Sequence, residues 1–248
     1  MSATEHPRRV AVVPAYNEQA TVATVLDQLY PLVDRLVVVD DGSTDETRQR
    51  IEQWLPGHPE ARLLVFDENR GMSAAYHAAF TDLRAALARD ELGADDLVFT
   101  VDADGQHELA VFERLESLMV SGILDALLVR RDLSTYPRYK RLGNWTLSAW
   151  ASLWAGHRLL DVESGYRVFR LGALTDALDY YRGYRYSETV EVAVVMCRLH
   201  YKVRNDELVA VPIFRSRTTL MDAAIDFMAI PLAAARVWTR RGRSQPAR

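Results

Sequence analysis

The chain has 248 residues, 49% of them hydrophobic and 26% charged, with 30 Lys and Arg against 34 Asp and Glu for a net charge of -4. That is the make-up of a globular protein large enough to bury a core, and its acidic balance excludes the basic surface of a nucleic-acid binder. The single cysteine, Cys197, excludes an intramolecular disulfide and is expected to be a small buried hydrophobe in a reducing, cytoplasmic compartment; no signal peptide is visible, and no apolar run reaches the ~20 residues of a membrane span.

In chain order, Arg9 to Pro14 reads as a first strand, with a helical pattern from about Asn17 to Tyr30 behind it. Leu36 to Val39 is the second apolar run. It ends on Asp40-Asp41-Gly42-Ser43, where Ser43 or Thr44 is placed to cap the next helix. Leu63 to Phe66 is the third run, followed by a helix from Gly71 through Arg89. Leu97 to Val101 and Ala126 to Val129 are the fourth and fifth. Continuous apolar runs separated by amphipathic helices belong to strands buried on both faces, hence a mostly parallel α/β sheet flanked by helices. The second half is less regular. It offers a helix from Pro137 to Trp154, another over Ser187 to His200, a late strand over Val209 to Phe214, and a last helix over Asp222 to Arg241. Pro231 is expected to kink or restart that helix. The simplest division is one domain over residues 1–218 and a C-terminal helix with a basic tail over 219–248.

In an open α/β sheet, ligands bind outside the carboxyl ends of the strands. Polar residues gather at those ends here. Pro14-Ala15-Tyr16-Asn17-Glu18 follows the first strand, Asp40 to Ser43 the second, Asp67 to Gly71 the third, and Asp102-Ala103-Asp104-Gly105-Gln106 the fourth. Four such ends at one edge are better explained by a site than by capping alone. Alternate residues of an extended segment share a side. Asp102, Asp104 and Gln106 are therefore placed to offer hard oxygen ligands to Mg²⁺ or Mn²⁺, provided the segment stays extended. The same letters also fit an Asp104-Gly105 turn. Asp40 is placed to accept from a base N–H of uracil or guanine, while Asp41-Gly42-Ser43 also fits an Asx turn.

PAYNE (14–18), VVVDDGSTDET (37–47), ENRGMSAA (68–75) and DADGQH (102–107), in that order and spacing, resemble family 2 glycosyltransferases of the GT-A fold. DVESGYRVF (161–169) is similar to the D-x-x-S-G-[FY]-R segment of the dolichol-phosphate mannose synthase branch, and VPIFRSR (211–217) resembles its V-P-I-x-F-x-x-R. The resemblance implies a metal-dependent inverting transfer from a GDP-, UDP- or dTDP-sugar to a polyprenyl phosphate. Carried over by position, it implies that Pro14, Tyr16, Glu18, Asp40, Asp41, Asp102 and Ala103 hold the nucleotide. Asp102, Asp104 and Gln106 would hold Mg²⁺ or Mn²⁺, and through it the diphosphate, which Arg217 also reaches. Arg131, Arg141 and Asp161 would serve the acceptor, with Asp161 alternatively bracing its loop. Asp104 and Arg217 would then carry catalysis, because cations stabilise the leaving diphosphate where negative charge develops.

An ionised lipid phosphate needs no general base, only the cations that Arg130, Arg131, Arg138, Lys140 and Arg141 supply, unless these form a solvated basic face. A hydroxyl acceptor needs a base. Glu191 matches the mannose synthases' glutamate by its spacing to Leu199-His200-Tyr201, and Glu188 lies nearer the position of a catalytic acid in small-acceptor relatives. Either also fits a carboxylate at a helix N-terminus. The sequence departs from the branch in the acceptor half. Thr218-Thr219-Leu220 stands where a G-x-S-K-like segment follows the late arginine, Glu163 replaces a small residue, and about five extra residues lie around Asn205 to Leu208.

The segment Phe227 to Arg248 has no acid, carries arginines and offers Phe227, Met228, Leu232 and Trp238. It fits an interfacial helix at the cytoplasmic membrane face, or a helix packed on the domain. Trp145, Trp150 and Trp154 fit an acceptor entrance or core packing. The first reading is a polyprenyl-phosphate glycosyltransferase. The alternatives are a soluble glycosyltransferase acting on a small-molecule hydroxyl and a catalytically silent nucleotide-sugar-binding protein.

Overall fold

The computed structural model describes residues 6–134, 136–183, 187–209 and 220–244. Strands β1 (Arg9–Ala15), β2 (Arg35–Asp40), β3 (Ala61–Val65) and β4 (Leu97–Thr100) pair in parallel, with β1 between β2 and β4. Helices α1 (Val22–Leu29), α2 (Thr47–Trp54) and α3 (Met72–Ala88) make the crossovers. Successive strand residues feed opposite cores: Val10, Val12, Val37 and Val39 join one, and Ala11, Val13, Leu36 and Val38 the other. Both faces are covered, which is why these strands read as unbroken apolar runs; each such buried side chain stabilises the fold by roughly 1.5–3 kcal/mol. Pro14 fits inside β1 because pairing with β4 stops at Val12↔Thr100, so its missing N–H breaks no rung with β4.

The rest of the chain adds α4 (Phe112–Ser121), β5 (Ala126–Leu128), β6 (Arg130–Arg131), α5 (Arg138–Ala155), β7 (Arg167–Arg170), α6 (Leu171–Leu178), α7 (Glu188–Arg198), β8 (Val203–Arg204), β9 (Leu208–Val209) and α8 (Leu220–Ser244). The sheet order is β3-β2-β1-β4-β7-β5-β8, and β7 runs antiparallel to both β4 and β5. This reversal positions the site. Arg167 opens β7 opposite Thr100 and Leu128, so residues 161–166 lie at the edge where β4 and β5 end.

Two expectations change, and a third falls largely outside the described residues. Helix α1 starts at Val22 rather than near Asn17, because residues 16–20 form a loop and Asn17 sits at φ 54. Of the late strand expected over Val209 to Phe214 only Val209 is described; it closes β9, which pairs with β6, and residues 210–219 lie outside the described residues. Helix α8 continues through Pro231 as one helix, so it does not restart there. A proline at that position frees the carbonyl of Phe227, four residues back, and the Trp150 indole N–H donates to that carbonyl at 3.0 Å. The Trp150 ring also stacks on Phe227 at 4.5 Å. Thus α8 packs on α5 and α7, burying Ala229, Ile230, Ala233 and Val237. Cys197 is buried, and burial pushes its thiol up to about 12. Among the described residues no helix is long and apolar enough to cross a membrane.

Candidate active site

The first three loops are tied to one another. Asn17 donates its N–H to the Ser43 hydroxyl (3.1 Å) and accepts the Thr44 N–H on its side chain (2.9 Å). Glu18 N–H donates to the Thr47 hydroxyl at 2.8 Å. Ser43 and Thr44 therefore brace the β1 loop instead of capping α2, and Asp45 takes the Thr47 N–H at 2.9 Å. The Asp40 carboxylate is buried at the end of β2 and accepts the Ser43 N–H at 3.3 Å. Asp41 turns the other way. It accepts from Asn69 Nδ2 (3.1 Å), Arg70 N–H (2.8 Å) and Gly71 N–H (2.9 Å), so its contacts are those of a brace to the third loop. Burial pushes the Asp41 carboxyl up, and the two backbone N–H groups pull against that shift. Gly42 makes the crossing possible: it sits at φ +67, and a Cβ there would stand 2.2 Å from the Glu68 carbonyl carbon. Tyr16 and Glu18 are half-buried in the same loop, and Pro14 is buried in the strand behind them.

The fourth loop departs from the extended geometry expected of it. The chain turns at Ala103-Asp104, with Gly105 at φ 76. That turn, and not strand alternation, joins Asp104 to Gln106. Asp104 Oδ1 accepts the Gln106 N–H at 3.0 Å, and its Oδ2 accepts the Gln106 side-chain amide at 2.7 Å. Ala103 is buried. His107 folds back on Asp102. Its Nδ1 accepts the Asp102 N–H at 3.1 Å, which places the proton of the neutral ring on Nε2, 3.4 Å from Asp102 Oδ2. Asp102 Oδ1 is left buried with no hydrogen-bond partner. Among the described residues no group of three or more His, Cys, Asp or Glu clusters as a metal site. What the loop offers is two carboxylates and an amide, the donor set of a hard cation that keeps water and phosphate oxygens as its other ligands.

The segment 161–167 frames Asp102 from behind. A Cβ on Gly165 would stand 3.3 Å from Asp102 Oδ2, the Gly165 carbonyl accepts the Thr100 hydroxyl at 2.5 Å, and Tyr166 stacks on His107 at 4.6 Å. Arg167, 1% exposed, donates to three carbonyls: Ser164 at 2.6 Å, Thr189 at 2.7 Å and Val162 at 2.9 Å. Its Nη1 lies 3.6 Å from Glu188 Oε1, which makes no hydrogen bond. Burial pushes the Glu188 carboxyl up to about 7; Arg167 pulls it down, and the charges of Asp102 and Glu191 add to the rise. Glu191 is spent otherwise, accepting from the Ser187 hydroxyl (2.6 Å), the Arg182 N–H (3.2 Å) and the Arg236 guanidinium of α8.

The acceptor-side residues separate. Arg131 faces inward and grips Asp161 in a fork, Nε–Oδ2 and Nη2–Oδ1 both at 2.8 Å. Burial works against its charge, but Asp161 more than offsets that and holds the guanidinium above its ordinary value. Asp161 is buried, with both oxygens taken by Arg131, so its contacts are those of a brace. The Asn144 amide, turned with its nitrogen to the carboxylates, donates to Glu163 (3.0 Å) and Asp161 (2.8 Å). Asn205 holds the same loop by accepting the Asp161 N–H at 2.9 Å and donating to the Leu128 carbonyl at 2.7 Å. Arg141 is exposed on α5, away from this cluster's hydrogen bonds. Arg217 lies outside the described residues. Sequence reading gave no roles to Asn17, His107, Gly165, Tyr166, Arg167 and Asn205. Five of them, all but Asn205, stand inside quoted motifs, which was the available signal.

A nucleotide-sugar transferase architecture is what this sheet, with its polar strand ends and reversed β7, defines. The family model for glycosyl transferase family 2 matches residues 10–187, and the chain belongs to that family. It is similar to a UDP-N-acetylglucosamine–dolichyl-phosphate N-acetylglucosaminyltransferase of Methanococcus voltae, 26% identical over 202 residues covering 74% of this chain and 78% of the relative. It is also similar to an undecaprenyl-phosphate mannosyltransferase of Micrococcus luteus, 28% identical over 174 residues covering 67% and 68%. Among solved structures it matches glucosyl-3-phosphoglycerate synthase of Mycobacterium tuberculosis, in complex with Mn²⁺, UDP and glucosyl-3-phosphoglycerate, with a TM-score of 0.65 at 19% identity, covering 94% of this chain and 80% of that one. The fold is GT-A and the protein is a glycosyltransferase.

Proposed function

We propose that the enzyme is an inverting, divalent-cation-dependent transferase that moves a sugar from a nucleotide-diphosphate sugar to a polyprenyl phosphate. The observation that carries the donor half is the buried, unpartnered Asp102 Oδ1 just past the end of β4, two residues before Asp104. A buried carboxylate oxygen without a partner is costly and is relieved by a cation. Asp102, Asp104 and Gln106 would hold Mg²⁺ or Mn²⁺, as the Mn²⁺ in the solved relative supports. When bound, that ion offsets charge on the leaving diphosphate. The protein's own part is positional. His107 and Gly165 fix Asp102, the braced loops present Tyr16, Glu18 and Asp40 to the nucleotide, exposed Arg141 is left for a phosphate group, and Arg217 is assigned to the diphosphate on its motif alone.

The names of the dolichyl- and undecaprenyl-phosphate relatives support a lipid phosphate acceptor. So does the outer face of α5 and α8, where Leu142, Trp145 and Met228 are 62%, 65% and 63% exposed near exposed Arg138 and Arg141. Apolar and aromatic side chains beside arginine suit peripheral contact with an anionic bilayer, at the cytoplasmic face. A second reading, transfer to a small-molecule hydroxyl, is favoured by Glu188, which burial pushes up to about 7, the range suited to a general base at neutral pH.

Thermal shift with GDP, UDP and dTDP, each with Mn²⁺ and with EDTA, identifies the donor base. One nucleotide is expected to raise the Tm only with metal. Transfer from the matching sugar donor to a polyprenyl phosphate is then expected, and it falls about a thousandfold in Asp104→Asn while the Tm stays within ~2 °C. Normal turnover in that variant sinks the cation assignment, and glycosylation of a hydroxyl compound but no lipid phosphate moves the second reading ahead.

A further inference from the structure

A cavity of about 340 Å³ opens between the end of β3, the first two turns of α3 and the segment Arg182-Gly183. Its polar lining is Arg70, Ser73, His77 and Arg182, with Phe66 and Ala74 in its apolar wall and no carboxylate. Nearby arginines on the same surface are matched to acids, Arg62 to Asp82 at 2.7 Å and Arg84 to Asp179 at 3.2 Å. Among the described residues the two cavity arginines are not. Arg70 lies over the Phe66 ring at 5.0 Å, and Arg182 donates to the Tyr181 carbonyl at 2.9 Å. Burial, together with the charges of Arg84 and Arg182, holds the His77 imidazole below its ordinary range, which marks the local field as positive.

Two unmatched guanidinium groups in one concavity, beside an imidazole and a hydroxyl-bearing wall, have the chemistry of a phosphate receptor. The arginine fork matches phosphate oxygens, and the small apolar wall suits the carbon end of the same molecule. We propose that this cavity is a second ligand site that takes a phosphate monoester, with its phosphoryl group between Arg70 and Arg182.

The cavity wall is wired to the active-site helix. Ser73 Oγ accepts the Glu188 N–H at 3.0 Å, and the Ser73 carbonyl accepts the buried Tyr181 hydroxyl at 2.7 Å. The Arg182 N–H donates to Glu191 at 3.2 Å. Gly183, at φ +65, passes so close to Tyr181 that a Cβ would stand 3.0 Å from its hydroxyl. A phosphate held by Arg70 and Arg182 therefore draws the 181–183 segment toward α3 and bears on the first turn of α7. The phosphate has two sources: the acceptor's own phosphate group, or a separate soluble phosphate ester.

The test needs neither sugar donor nor metal, so it stands apart from the transferase reading. Calorimetric titration of the full chain in EDTA with glycerol 3-phosphate, and in parallel with inorganic phosphate, is expected to show saturable one-site binding. Arg70→Ala and Arg182→Ala are each expected to weaken it about tenfold, and Asp104→Asn to leave it unchanged. Both arginine side chains are exposed, so their truncation leaves the core intact, and an unchanged Tm checks this. Absence of saturable binding up to ~10 mM overturns the proposal, as does binding that survives loss of both arginines. In transfer assays, competition between glycerol 3-phosphate and polyprenyl phosphate assigns the site to the acceptor's phosphate. A changed kcat without competition assigns it to a separate effector.

Discussion

From β1 to β4 the edge of the sheet is held by short polar side chains that take backbone N–H groups from the neighbouring loop: Ser43 from Asn17, Thr47 from Glu18, Asp41 from Arg70 and Gly71. Beyond β7 the same edge is held by long cations reaching across the chain: Arg131 to Asp161, Arg167 to the carbonyls of Val162, Ser164 and Thr189, and Arg236 to Glu191. The first arrangement is a set of separate hydrogen bonds, to the Ser43 and Thr47 hydroxyls and to the Asp41 carboxylate, each worth about 1–3 kcal/mol. The second buries charge, which is tolerable only while every partner stays in place. Damage should therefore spread differently in the two halves. A lost brace loosens one loop in the donor half, whereas a lost cation strands several buried groups at once in the acceptor half.

The sharpest way to break this contrast is Arg167→Met. The side chain is similar in size, so packing is largely kept, but three carbonyls lose their donor and Glu188 loses its counter-charge. A loss of about 3–5 kcal/mol is expected, read as a Tm drop of roughly 10 °C. An unchanged Tm would show that the buried cation does not organise the acceptor half. Next is Asp41→Ala, which removes three hydrogen bonds between the second and third loops. About 2–3 kcal/mol is expected. Nucleotide affinity should fall with it, because the loop carrying Asp40 loses its outer anchor, and titration with the nucleotide found by thermal shift reads this. If Asp41→Ala costs as much as Arg167→Met, the two halves do not differ in kind.

The same contrast governs what could be read in the letters. The parallel half was legible because its information is local: apolar runs, a helix behind each, and polar strand ends within a few residues. The turn at Asp104-Gly105 was also signalled, since Asp-Gly marks a turn, and the extended alternative failed because Gly105 accepts a positive φ. The acceptor half was not legible in this way. β7 is four residues long with an arginine at each end, and its place between β4 and β5 depends on pairing across 67 residues of sequence, as the Thr100–Arg167 contact shows. Arg131 looked free because Asp161, which claims it, lies 30 residues on. Pro231 looked like a helix break because Trp150, which satisfies the freed carbonyl, lies 77 residues from Phe227.

The smallest effect concerns Glu188, a buried acid of the acceptor half whose Oε1 has no hydrogen-bond partner. Burial raises Glu188 from 4.5 to about 7, with Arg167 opposing and Asp102 and Glu191 reinforcing. The folded chain therefore holds a proton here that the unfolded chain releases at lower pH. Stability from this group is full below its unfolded value and is lost as pH rises from about 4.5 through about 7. Glu188→Gln cannot titrate. Other groups, Glu163 and Asp41 among them, are also pushed up by burial, but they are common to both proteins and cancel in the difference. The Tm of Glu188→Gln minus that of the natural chain should rise by a few degrees between pH 5 and pH 8. A constant difference across that window would mean that Glu188 stays ionised throughout. Arg167 would then be matched by a full charge, and the acceptor half would be as well compensated as the donor half.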